Sequence, residues 1–111
     1  MNHRIPQKVQ ALRSALLENP GHTSPELRRS VEANAASLGG RPGPTVAIPD
    51  ALSSFIKKVA CHAYKITDEE VADLLRAGYT EDELFEITLS AAFGASLARM
   101  EQGLRALHGE S

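Results

Sequence analysis

The sequence predicts an all-α fold of about five helices, and three observations carry that prediction. The first is a helix-start signal written twice, as Thr67-Asp68-Glu69-Glu70 and Thr80-Glu81-Asp82-Glu83. In each copy the Thr hydroxyl is placed to accept from the amide three residues on, while the Glu reaches back to the Thr amide. The extra carboxylates suit the positive end of the helix dipole. The second is apolar spacing of three and four in each longer segment, and the third is the lack of a convincing strand, low-complexity tract or repeat beyond the doubled box.

Composition narrows the classes. At 111 residues the chain suits one domain, 1–111, able to bury roughly two-thirds of the surface of its unfolded form. Twelve Lys and Arg stand against 14 Asp and Glu, so a formal charge of -2 gives no field favouring nucleic acid or an anionic membrane. One cysteine excludes an intrachain disulfide. Met1 to Pro6 lacks an apolar signal core, and the uncharged run from Ile87 to Ala98 is shorter than the ~20 residues of a membrane span. The expectation is a soluble cytoplasmic protein with no cofactor.

Taken in order, the first segment places Ile5, Val9, Leu12 and Leu16 on one narrow seam, with Pro6 near its start and Asn19-Pro20-Gly21 as its stop. Thr23-Ser24-Pro25-Glu26 opens a second helix with a cap, a first-turn proline and a capping-box Glu. Leu27, Val31, Ala35 and Leu38 form its seam before Gly39-Gly40. The pair reads as a slim helical hairpin, an N-terminal arm over 1–40. Arg41-Pro42-Gly43-Pro44-Thr45 cannot be helical and makes 41–49 a linker. A helical body follows over 50–109. Pro49-Asp50 opens a third helix to about Lys65, with Leu52, Phe55, Ile56, Val59 and Ala63 as its core stripe. A short helix from Asp68 to Ala77 closes on Gly78 as a left-handed cap, with Tyr79 as the staple before the second box. The last helix is apolar or small on every side from Ser90 to Ala98, the pattern of a buried helix.

Four residues are candidates for chemistry. Cys61, at 100° per residue, falls opposite the core stripe and shares its face with Lys57, Lys58 and Lys65, whose ammonium groups would favour a thiolate. It reads either as a reactive cysteine, helped by adjacent His62, or as a small residue on a lysine-rich face. His62 points about 100° away from it on a helix. Arg99 interrupts the apolar helix and either binds a carboxylate, pairs with Glu86 or Glu101, or marks where the helix meets solvent. Ala91, Ala92, Gly94, Ala95, Ser96 and Ala98 either line a cavity holding Arg99, His62 or Glu86 or let helices pack closely. His3, His22, His62 and His108 lack metal-site spacing, and one cysteine cannot build a structural zinc site, so no metal is expected. No nucleophile elbow, phosphate loop or dinucleotide fingerprint is present.

The run from Asp68 to Leu107, with its turn Gly78-Tyr79-Thr80-Glu81-Asp82-Glu83 and a long small-residue helix carrying Arg99, resembles the alkylhydroperoxidase D-like and carboxymuconolactone decarboxylase superfamily. The resemblance implies an all-helical domain whose central helices pack between subunits as a homo-oligomer, usually a trimer or hexamer. The peroxidase branch works through Cys-x-x-Cys-x-x-x-His. Laid on this chain, its thiol positions fall on Ala63 and Ile66 and its His on Glu70. If this half matches the family's second module instead, the active helix falls on Ser24 to Leu38, which has no cysteine. The Asn residues that often precede the Arg are replaced by Ala95 and Ala98, and His62 lies too far back for the decarboxylase branch. The resemblance therefore implies a member without dithiol chemistry. Two other readings stay open: a helical adaptor or accessory subunit binding a protein partner, and a cofactor-free decarboxylase-like enzyme on a small carboxylate.

Overall fold

The computed structural model describes residues 6–109, so Ile5 of the first seam and His3 lie outside the described residues. Its helices are α1 (Gln7–Glu18), α2 (Pro25–Leu38), α3 (Asp50–Cys61), α4 (Asp68–Arg76) and α5 (Glu81–Leu107), with one 3-10 turn (Ala63–Lys65) between α3 and α4. The described residues form no strand and are all-helical apart from their connections.

Both doubled helix starts form as the sequence predicts. The Glu70 amide donates to the Thr67 hydroxyl at 3.2 Å and the Glu83 amide to the Thr80 hydroxyl at 3.1 Å. The Thr67 and Thr80 amides donate in return to the Glu70 and Glu83 carboxylates at 3.1 and 2.8 Å. Gly78 has φ +110°, and around it the Tyr79 amide donates to the Leu74 carbonyl while the Gly78 amide donates to that of Leu75. That pair of bonds satisfies two of the carbonyls a helix end leaves open. The same arrangement at Gly40 ends α2.

The core lies between α2, α3 and α5, with α4 closing one end. Leu52, Ile56 and Ile87 are fully buried, each contributing about 1.5–3 kcal/mol through burial. Val31 and Ala35 of α2 join the same core. α2, the second helix of the N-terminal arm, makes its most extensive contact with α5. The physical reason is the glycine and alanine content of α5. A Cβ on Gly94 would overlap the Glu32 carbonyl of α2, so only glycine lets the two backbones approach this closely. Buried Ala91, Gly94, Ala95 and Ala98 serve close packing, not a cavity.

Four expectations change. The third helix stops at Cys61 because His62 takes φ -149° and leaves the spiral, so Ala60 is buried where Ala63, now in the turn, is exposed. Ser24 caps α2 ahead of Pro25, accepting from the Leu27 amide at 3.1 Å, and Glu26, only two residues after the cap, builds no capping box. The seam of α1 stays largely open: Leu12 is 60% exposed and the buried residue is Leu17. The middle of α5 is buried on one side only, since Leu89, Ala92 and Ser96 are exposed.

Candidate functional site

Cys61 ends α3 and is partly buried at the edge of the core, its thiol 3.9 Å from the Leu38 carbonyl. Of the three lysines expected on its face, Lys57 and Lys58 stand on α3 with it and Lys65 lies beyond the helix end. Lys58 is held by the Glu70 carboxylate at 2.7 Å, and Lys65, in the turn, lies 5.9 Å from the centre of the Tyr64 ring. The helix ends before Lys65, so that residue no longer continues the face that ideal helical spacing gives it. Glu70 is held below its usual carboxyl range, first by the hydrogen bond from Lys58 and then by Thr67. His62 is exposed and meets Tyr64 edge-on, ring centres 6.0 Å apart.

Arg99 stands over the same end of α3. Its guanidinium donates to the Ala60 carbonyl at 2.6 Å, one of the last carbonyls that α3 cannot pair internally. It pairs with neither Glu86 nor Glu101; the Arg41 guanidinium takes Glu101 at 3.0 Å. Arg99 thus joins α5 to α3 as a cap, at the helix end that carries Cys61 and His62.

Glu86 lies elsewhere. It precedes Arg99 by 13 residues on α5, about 20 Å at 1.5 Å per residue. Its carboxylate accepts from the His22 amide at 2.7 Å, the Thr23 amide at 2.8 Å and the Thr23 hydroxyl at 2.6 Å. Burial opposes ionisation, but these three donors outweigh it, with attraction from Arg28 added, and hold the carboxyl down at about 2. With Ser24 capping α2, Thr23 is the residue that fixes Glu86. The group anchors the α1–α2 connection to α5 and faces no open chemistry.

Two charged residues escaped the sequence reading. Arg28 is buried and donates to the Leu16 and Asn19 carbonyls, capping α1. Glu32 is 1% exposed, accepts from Arg13 at 2.7 Å and has Arg41 at 3.8 Å. The signal was present: Arg28, Glu32 and Ala35 follow the three-and-four spacing, so one buried face of α2 carries both charges.

An apolar depression of about 360 Å³ forms an open groove between α1 and α5, lined by Leu12, Leu16, Leu89, Ala92, Phe93 and Ser96. A smaller apolar depression beside it, lined by Val9, Phe93, Ser96, Leu97 and Met100, shares two of those residues; Cys61, His62, Glu86 and Arg99 line neither of them, nor the three further depressions. Among the described residues no group of three or more His, Cys, Asp or Glu is arranged to hold a metal, and no helix is long and apolar enough to cross a membrane. No family model, curated protein or solved structure matches the chain.

Proposed function

We infer that the chain is a helical interaction domain, an adaptor or accessory subunit that works through the joined apolar faces of α1 and α5. One observation carries this reading. Phe85, Leu89 and Leu107 of α5 are 64%, 41% and 77% exposed, and Leu12 of α1, 60% exposed, lines a groove with Leu89. Large apolar side chains gathered on one face mark an interaction surface, whereas scattered ones need no explanation. Catalysis on a small carboxylate would need polar groups converging on a pocket, and the candidates are instead spent on helix ends: Arg99 on α3, Glu86 on the segment before α2. The likeness of residues 68–107 to the carboxymuconolactone decarboxylase superfamily belongs to this proposal as kinship of scaffold, without the dithiol site.

The test is photo-crosslinking in cells that produce the chain. A benzophenone amino acid at Ala92, in the groove, should give protein adducts at least five-fold above the same group at Ser53, exposed on α3. Leu89→Asp should abolish them. Equal yields at the two positions would remove the reading.

A further inference from the structure

We propose that the occupant of this face is a second copy of the chain, paired antiparallel along α5 about a two-fold axis at Ser96. The proposal rests on the interaction reading above and deepens it by naming the partner. In a two-fold interface residue i meets j while j meets i, so the contacting positions must be symmetric about the axis. The exposed stripe of α5 has that property. From Phe85 through Leu89, Ala92, Ser96, Met100 and Gly103 to Leu107 the steps are 4, 3, 4, 4, 3 and 4, and every one of these residues is exposed. The order of sizes fits as well. Ser96 meets its own copy, Met100 lies over Ala92, Leu89 lies over Gly103, and Phe85 meets Leu107 at each end. Large residues face small ones near the axis, where the backbones come closest.

Gly103 is an independent observation. It lies inside a continuous helix, where glycine costs about 1 kcal/mol against alanine. Yet nothing lies within 4 Å of where its Cβ would stand, so the chain itself gives no reason for a glycine. A facing Leu89 does. Charge also permits the pairing: between Phe85 and Leu107 the charged residue flanking the stripe, Arg99, donates to the Ala60 carbonyl, and the exposed acids Glu81 and Asp82 lie beyond its Phe85 end. The area suffices for a weak dimer. A stripe of 23 residues, Phe85 to Leu107, is about 33 Å long, and the 12 residues of α1, about 18 Å, widen part of it from about 10 to about 20 Å, giving roughly 1,000 Å² over both copies. That lies below the standard size of stable interfaces and in the range of weak, transient ones, so the pairing is concentration-dependent.

Sedimentation velocity of the full chain from 1 to 200 µM should show a mass moving between 11.9 kDa and twice that value. Leu89→Asp should hold it at the monomer mass at 200 µM with an unchanged helical circular dichroism spectrum. In a Cys61→Ser background, Ser96→Cys should crosslink to itself on mild oxidation. Phe85→Cys should not self-link, but should link to a Leu107→Cys chain mixed with it. A monomer at 200 µM, a trimer, or Phe85→Cys chains that link to themselves would each overturn the proposal. The photo-adduct at Ala92 separates the two readings. An adduct of twice the chain mass supports self-pairing, one with another protein refutes it while leaving the interaction face standing, and none above the Ser53 control removes both.

Discussion

Glu86→Gln tests whether this carboxylate is a structural anchor. It exchanges the acceptor of three hydrogen bonds for an amide whose NH2 must face one of the donors. A fall from the ordinary 4.5 to about 2 corresponds to at most about 3.4 kcal/mol at 1.36 kcal/mol for each pH unit. The group is partly solvent-exposed, so screening reduces this by about half, to ~1.7 kcal/mol. At about 2.1 cal/mol/K per residue the loss lowers Tm by about 7 °C. The sign follows from linkage. A carboxyl with a depressed folded pKa adds stability above its unfolded value, and that stability fades as pH falls through the folded value. The gap between the parent chain and the variant should therefore be full above pH ~5.5, about 60% of that at pH 3.5 and about a quarter at pH 2.5. Urea unfolding followed by circular dichroism at one protein concentration measures it. A gap of the same size at pH 7 and pH 2.5 would refute the anchoring account, and so would no gap at all.

The remaining predictions concern packing, charge and the thiol. Gly94→Ala gains about 1 kcal/mol of helix propensity but forces apart the α2 and α5 backbones, so thermal unfolding should show a net loss above ~3 kcal/mol. Arg13→Met leaves buried Glu32 with only Arg41 at 3.8 Å and should cost about 3 kcal/mol in chemical unfolding, whereas Arg29→Met, from the exposed pair with Glu18, should cost under about 1 kcal/mol. Cys61→Ser keeps a donor toward the Leu38 carbonyl and should change stability by less than ~1 kcal/mol; a loss several times larger would mean the sulfur packs more tightly than its partial burial indicates. A peroxide assay with a dithiol reductant should show no turnover above that variant, because the chain has a single thiol and no second one to resolve a sulfenic acid.

Local chemistry was the most legible part of the sequence, because a cap is decided within four residues: Thr67 with Glu70, Thr80 with Glu83, and Gly78 between them were all readable before any tertiary contact was known. Properties set by distant partners were not readable. Pro25 at the first helical position marks Ser24 as the cap of α2, but nothing near Thr23 in the sequence shows that it turns to Glu86, more than 60 residues away. Lys65 was placed on the face of Cys61 by ideal spacing, which assumes a helix that continues, and His62 breaks it. The candidate residues were each visible as types, but their separation into two places depends on which end of α5 meets α3 and which meets the start of α2. The apolar middle of α5 shows the deepest limit. A stripe that packs inside its own chain and a stripe that awaits a partner follow the same three-and-four spacing, so periodicity cannot tell Ala91 and Ala95, which are buried, from Leu89 and Ser96, which are not. What does separate them is close contact. Gly94 has α2 pressed against it and Gly103 has nothing, and under two-fold pairing the second glycine has the same cause as the first, with the approaching helix supplied by another copy.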